Sequence, residues 1–465
     1  MYLLYSLLGT LALVALSPYF LLRRLRRGKR RSSVWQRMGR LPHMLSAIPP
    51  GGIWLHAVSV GEVLAAAPLA ARLKELHAEM PLFISTVTDT GQAIARERIP
   101  SADGFFYFPL DFAFLMRRTL RALAPAAVVI VETEIWPNLL RQARRAGIPV
   151  IFVNARISDR SFRQYRLTNR FLNGFIGDAL RDASLILAQS ENDAQRFREL
   201  GAEESHVFVA GNLKFDLQPP PVGPLTAWLE AQFRVQERWP VVVAGSVAAD
   251  EEEAVLAAYD YVQRKWRHAL LVLAPRKPQR WDAAAEIVAA DGWKAVRRSK
   301  LKLMEPLAED ADALLLDTIG ELAGIYGLAD AVFIGGSLVP VGGHNLLEPA
   351  FFSRPAAFGP HMDSFREMAA QFLAAGAGIQ VRSGEELGRA WVRLIEDKPL
   401  RERMGAAARQ LIERSRGATN LVAGRILETI AAGGQAVAEP VAARPASTAS
   451  VNSDIVRDGA KRASE

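Results

Sequence analysis

The chain contains no cysteine, which excludes disulfide staples and thiolate metal sites and fits a reducing compartment. Acidic residues are missing from its beginning, since no Asp or Glu precedes Glu62. The same stretch carries Arg23, Arg24, Arg26, Arg27, Lys29, Arg30, Arg31, Arg37 and Arg40, and these nine cations exceed the net charge of +8 of the whole chain. The remainder is therefore close to neutral. Basicity confined to a patch beside an apolar segment points to a membrane surface rather than to nucleic acid. Metal-ligand spacing is also missing: the seven histidines show none, and Asp310-Ala311-Asp312 lies in a polar loop where solvation explains it. No metal and no cofactor are expected.

The apolar segment runs from Tyr2 to Leu22, interrupted by Ser6, Thr10, Ser17 and Pro18. About 20 residues rising ~1.5 Å each match a ~30 Å hydrocarbon layer. A cleaved signal would carry its charges before the apolar run; here they follow it. With positive charge retained inside, the bulk of the chain is expected on the cytoplasmic face of the inner membrane. A helix lying flat in the interface would lead to the same membrane.

From Ile53 onward, apolar runs alternate with helical patterns, as in parallel α/β sheets. The expected strands of a first series are Ile53–Val58, Leu82–Val87, Phe105–Phe108, Ala127–Val131, Val150–Val153, Leu185–Ala188 and Val207–Ala210. A second series comprises Val241–Ala244, Leu270–Ala274, Ala313–Leu316, Ala331–Ile334, Ala356–Phe358 and Ile379–Val381. Between them Gln218-Pro219-Pro220-Pro221 breaks the pattern. The expected organisation is an anchor over 1–22, a basic segment over 23–49, an α/β domain over 50–212 and a linker over 213–240. A second α/β domain then covers 241–432, and a disordered tail covers 433–465. Two such domains imply a cleft between them.

The residues able to do chemistry cluster where strands should end. His56-Ala57-Val58-Ser59-Val60-Gly61-Glu62 places a carboxylate at a helix start, either as a charge suited to that helix terminus or as a general base. Glu132-Thr133-Glu134-Ile135-Trp136-Pro137-Asn138 puts two carboxylates after an apolar run, for a turn or for function. Lys214 stands at the interdomain edge, where a cation could stabilise charge on a leaving phosphate. Pro275-Arg276 follows another strand and suits a phosphate or carboxylate. Asp317-Thr318-Ile319-Gly320-Glu321 forms a further Gly-containing turn. The stretch Ala331 to Pro360 reads as a β-loop-α-β unit with glycine pairs Gly335-Gly336 and Gly342-Gly343, followed by His344-Asn345-Leu346-Leu347-Glu348. Glu348, in the first turn of that helix, can accept from two vicinal ribose hydroxyls.

Taken together these segments, with Asn154-Ala155-Arg156, Leu213-Lys214-Phe215-Asp216 and Gly335-Gly336-Ser337-Leu338, resemble the bacterial 3-deoxy-D-manno-octulosonic acid (Kdo) transferases from Arg37 to Leu427. The resemblance implies a GT-B fold, an α/β architecture with two Rossmann-like domains facing a cleft and an N-terminal membrane-anchor helix. It implies inverting transfer of Kdo from CMP-Kdo to a lipid A precursor, lipid IVA. By the same resemblance Glu62 is the proton acceptor, and Glu132 and Lys214 stabilise the transition state. Pro275, Arg276, Ile319, Gly320, Glu321, Asn345, Leu346, Leu347 and Glu348 would hold CMP. The chain departs from the family pattern at Ser246-Val247-Ala248-Ala249-Asp250-Glu251 and at Lys277 and Gln279. These departures leave open a GT-B transferase or epimerase for another nucleotide sugar, or an inactive membrane-anchored scaffold.

Overall fold

A computed structural model describes residues 1–11, 15, 32–219, 222–303 and 305–433. Its frame is two seven-stranded sheets, parallel throughout. The first contains β1 (Ile53–His56), β2 (Leu82–Thr86), β3 (Gly104–Tyr107), β4 (Ala127–Val131), β5 (Val150–Ala155), β6 (Leu185–Ala188) and β7 (Val207–Val209), in the order β3-β2-β1-β4-β5-β6-β7. The second contains β8 (Val241–Val247), β9 (Leu270–Pro275), β10 (Ala295–Arg297), β11 (Ala313–Leu315), β12 (Ala331–Ile334), β13 (Ala356–Phe358) and β14 (Gly378–Gln380), in the order β10-β11-β9-β8-β12-β13-β14.

The strands read as unbroken apolar runs because helices cover both faces. Alternate residues divide between two cores: Val128 and Ile130 belong to one, Ala127, Val129 and Val131 to the other. In the second sheet Val241 and Val243 face one core while Val242 and Ala244 face its opposite. This period of two is what a pleated strand imposes. Strand order reverses between β1 and β4 and between β8 and β12. Crevices open at such reversals at the carboxyl ends of the strands, because the flanking crossovers leave in opposite directions.

The segment expected to be a linker holds more structure. Pro224 starts a helix, Pro224–Val235, as a proline in the first turn can. Leu225, Leu229 and Phe233 recur at helical spacing and are buried in the second sheet's core. At the other end, the helix Ala418–Ala431 packs against the first sheet, with Ala418, Val422, Ala423 and Ile426 in its core. Asp216 fixes that return, accepting from the N–H groups of Gly417 at 2.7 Å and Thr419 at 2.6 Å.

The expected anchor is described only over residues 1–11 and 15. Among the described residues no helix is long and apolar enough to cross a membrane. Residues 2–11 are helical and lie against the first domain. Tyr2 and Tyr5, one turn apart, donate to Asp182 and Asp111 at 3.1 Å each, and their rings flank Phe175 at 5.1 and 5.6 Å. Part of the expected anchor and basic segment, residues 12–14 and 16–31, and the expected tail from 434 lie outside the described residues.

Candidate active site

Glu62 begins the helix Val60–Leu76, directly after β1 at the first strand-order reversal. Ser59 caps that helix. Its hydroxyl donates to Glu62 Oε1 at 2.8 Å and accepts from the Glu62 N–H at 3.4 Å, while the Val58 N–H donates to Oε2 at 2.7 Å. This reciprocal arrangement is a variant of the capping box, in which Glu62 reaches the N–H of Val58, one residue before the cap. Only 8% of Glu62 is exposed. Burial pushes its carboxyl up to about 7 against the pull of the Val58 N–H, with the Glu132 and Glu134 charges adding to the rise. A carboxylate balanced near neutrality matches what general base catalysis needs.

Glu132 follows β4, on the other side of the same reversal. Its backbone is left-handed, φ +62°, unusual for a residue with a Cβ. Asn154, at the end of neighbouring β5, is also left-handed at φ +52°. Strain of this kind persists where the surroundings hold it in place and concentrates at functional positions. Here the surroundings are explicit. The Glu132 N–H donates to the Val153 carbonyl at 2.9 Å, and buried Asn154 accepts from the Leu213 N–H at 3.0 Å. That second bond seats the short helix Leu213–Asp216 so that Lys214 Nζ lies 3.0 Å from Glu132 Oε1. Arg156 approaches the other oxygen of Glu132 at 3.4 Å. Burial and the Glu132 charge raise the pKa of Glu134.

The glycine-rich loop after β12 is held by a residue at the end of β8. Glu251 is fully buried. It accepts from the N–H groups of Gly336 (2.6 Å), Ser337 (2.8 Å) and Leu338 (2.7 Å), and from Ala248 at 2.8 Å. Beyond the loop, the Arg276 guanidinium donates to His344 Nδ1 at 2.8 Å. A guanidinium can only donate, so this imidazole is neutral with its hydrogen on Nε2. Burial, and then the Arg276 charge, push His344 down to about 3. Gly336, at φ +66°, leaves room for that ring, since a Cβ there would stand 2.9 Å from His344 Nε2. Glu348 lies in the first turn of the helix Leu347–Ala350, with Asn345 Nδ2 at 3.5 Å. Desolvation pushes it up to about 7, opposed by Asn345 and by Arg276.

The two halves touch through the loop after β13. Arg156 donates to the Ser364 carbonyl at 2.5 Å, and the Ser364 N–H donates to the Gly342 carbonyl at 2.9 Å. Phe365 lies 5.3 Å beneath Lys214 Nζ, and Ser190 donates to Glu367 at 2.7 Å. A cavity of about 70 Å³ opens here, lined by Arg156, Asp193, Lys214, Phe365 and Glu367 among others. Glu62, Glu132 and Lys214 thus form one cluster, while Arg276, Asn345 and Glu348 form a second around His344. Pro275 closes β9, and Leu346 and Leu347 are buried beneath the second cluster. The turn of Ile319, Gly320 and Glu321 stands apart: Ile319 is 80% exposed, and Glu321 is held by Arg298 at 2.9 Å. Arg156, Glu251 and His344 were not singled out from sequence. Their positions at strand ends inside recognised motifs were the available signal.

A family model described as 3-Deoxy-D-manno-octulosonic-acid transferase (kdotransferase) matches residues 32–217. A 3-deoxy-D-manno-octulosonic acid transferase of Bordetella pertussis is 34% identical over 433 residues, which is 88% of this chain and 96% of that protein. One from Haemophilus influenzae is 33% identical over 378 residues, or 80% and 86%. The chain belongs to the Kdo transferase family. It is a glycosyltransferase of lipopolysaccharide core biosynthesis. Among solved structures, a putative UDP-N-acetylglucosamine 2-epimerase from Listeria monocytogenes superposes with a TM-score of 0.56 at 14% identity, covering 82% of this chain and 96% of that one. That likeness concerns the fold alone, a GT-B-like pair of Rossmann-type sheets; the Kdo transferase relatives decide the activity.

Proposed function

We propose that this Kdo transferase takes Kdo from CMP-Kdo and places it, with inversion, on a sugar hydroxyl of the lipid A precursor. The observation that carries this reading is the cluster at the first strand-order reversal, where a buried carboxylate titrating near 7 stands beside Glu132 and its two cations. The acceptor hydroxyl gives its proton to Glu62 as its oxygen bonds to the anomeric carbon. The bond from that carbon to the phosphate oxygen breaks, and CMP leaves with the electron pair. Lys214 supplies positive charge for the leaving phosphate, and Glu132 fixes Lys214 and Arg156 in place. Pro275, Arg276, Asn345, Leu346, Leu347 and Glu348 hold the CMP moiety, Glu348 through the ribose. Ile319, Gly320 and Glu321 also hold CMP, on the family resemblance alone.

The membrane location follows from the lipid acceptor. The N-terminal helix and its basic flank keep the enzyme on the cytoplasmic face of the inner membrane, where two-dimensional confinement keeps the cleft near its substrate. The test is CMP release from CMP-Kdo that depends on lipid A precursor, with products sized by mass. Release that needs no lipid, or a lipid product without Kdo, overturns the reading.

A further inference from the structure

The helix Asp159–Phe171 is unusual for an α/β domain, because none of its 13 residues is buried. Crossover helices normally lie back along the sheet and bury a stripe. This one starts at the carboxyl end of β5 and stays at the rim. Its inner side is nevertheless well anchored. Asn169 accepts from the Ile176 and Gly177 N–H groups at 2.8 and 3.2 Å and donates to the Leu200 carbonyl at 2.9 Å. Phe162, Tyr165 and Leu172 pack on the domain core, and Tyr165 lies near enough to feel the charge of Glu134.

The outer side has a different composition. Arg160, Arg163, Arg166, Leu167, Arg170 and Phe171 are all exposed, Leu167 by 54% and Phe171 by 76%. At 100° per residue they fall within an arc of about 140°. None of the four arginines has an acidic partner among the described residues. Asp159, the one acid of the helix, is already paired with Arg196 and Arg366. Immediately after this helix comes Phe175, the ring against which Tyr2 and Tyr5 seat the N-terminal helix. That neighbour in turn exposes Leu3 (89%), Leu7 (56%) and Leu11 (57%) at one-turn intervals.

We infer that the outer face of Asp159–Phe171, together with the leucine face of residues 2–11, is a docking surface for a bilayer bearing anionic headgroups. The arginines meet phosphates, while Leu167, Phe171 and the leucines enter the acyl boundary, the division of labour of an interfacial helix. Charge decides for a bilayer over a protein partner: four cations without an acidic partner among the described residues, one of them (Arg166) over the Phe162 ring, surround two exposed apolar side chains and match an anionic plane. Because the helix starts three residues after Arg156, which pairs with Glu132, the surface borders the rim of the catalytic crevice. A membrane-borne acceptor would then enter the cleft without leaving its leaflet. This rests on the proposed lipid acceptor, but its test does not involve turnover.

The absence of cysteine makes that test direct. Nitroxide is attached in the full chain to Phe171→Cys, to Leu7→Cys, or to Val235→Cys as a control that is 80% exposed on the second domain. Each is compared on vesicles of phosphatidylglycerol mixed with phosphatidylcholine and on phosphatidylcholine alone. Labels at 171 and 7 should gain access to oxygen and lose access to a water-soluble nickel chelate on the anionic vesicles, while the label at 235 stays in water. Replacing Arg160, Arg163, Arg166 and Arg170 with Gln should weaken binding to those vesicles about tenfold or more and return the 171 label to water, with the melting temperature unchanged. A 171 label that stays in water while the label at 7 is protected overturns the proposal. So does a Gln variant that binds as the parent does. If that variant raises only the acceptor KM while position 171 never leaves water, the arginines read the acceptor's own phosphates and the bilayer surface is rejected. Protection at 171 in a protein that transfers no Kdo would leave this surface standing and remove the proposed reaction.

Discussion

Lys214 and Glu132, 82 positions apart in the chain, meet at 3.0 Å because Asn154 seats the short helix that carries the lysine. The contact joins the last strand of the first sheet to its strand-order reversal. It also places the ammonium between a carboxylate and the ring of Phe365 from the second domain. A lysine so placed is already oriented when a leaving phosphate develops charge, and this orientation is where preorganised electrostatics gain their effect.

Lys214→Met should therefore lower turnover by about 10²-fold or more. Stability should fall by up to ~3 kcal/mol, because each side chain of the pair is only 15% exposed, while Arg156 still faces the carboxylate that is left. Lys214→Arg should recover part of the rate, since it keeps the charge with altered geometry. Steady-state rates and melting temperatures on the same preparations check this. A methionine variant with parental turnover would reduce Lys214 to a structural tether.

Glu251 calls for the opposite pattern. Its carboxylate accepts from three successive N–H groups of the glycine-rich loop, and it is fully buried. Glu251→Ala leaves those donors without a partner, at about 1–3 kcal/mol each. A loss of at least ~3 kcal/mol is expected in calorimetric melting, with weakened CMP binding in the protein that remains folded. Glu251→Gln should not restore it, because its amide presents hydrogens to the same donors. A Gln variant that melts like the parent would mean that the loop does not depend on the carboxylate.

What was legible in the sequence was whatever is written locally. Runs such as Ala127–Val131 announce a strand buried on both faces, and glycine, glutamate and asparagine after such runs mark the turns of the crevice. The edge strand Ala295–Arg297 was missed because it is half-buried and carries a cation, so it lacks the apolar run. Pro219, Pro220 and Pro221 drew attention away from Pro224, which begins a helix rather than ending one. The docking of Tyr2 and Tyr5 depends on Asp182 and Asp111, more than 100 residues away in each case. No local pattern encodes such a pairing. The same holds for the tautomer of His344, set by Arg276 from another strand, and for Glu251, whose partners lie 85 to 87 positions further on.

Glu348→Gln tests the donor side. The carboxylate is pushed up to about 7 by desolvation despite Arg276. A charged acceptor for the ribose would then be complete only above neutrality. CMP affinity in the parent should rise as pH increases through about 7, and Glu348→Gln should abolish that dependence while weakening binding at pH 8 by roughly 1–3 kcal/mol. Calorimetric titration with CMP at several pH values reads both effects. Parallel pH profiles in variant and parent would remove Glu348 from the ribose.

Glu62 serves both the helix start and the proposed chemistry, and pH separates the two. As a base it must be ionised, so kcat/KM should climb with pH and level off above about 7. Glu62→Gln should lower turnover by about 10²–10⁴-fold and remove that rise. The stability effect has its own sign. A carboxyl raised from its ordinary value of 4.5 to about 7 holds its proton more tightly in the folded state. Its favourable contribution is therefore complete below about 4.5 and is lost as pH rises through about 7. Gln keeps no charge to bury, so the melting temperature of Glu62→Gln relative to the parent should improve between pH 5 and pH 8, by a difference on the order of 1–3 kcal/mol. Against this runs the loss of the capping charge, ~0.3–1 kcal/mol, which acts chiefly where the parent is ionised. Net improvement at pH 8 with collapsed turnover is the outcome expected of a buried base. If turnover survives and the variant melts lower at pH 8, Glu62 is a helix cap and the proton acceptor must be another group, with Glu134, whose charge acts on Glu62, the next candidate.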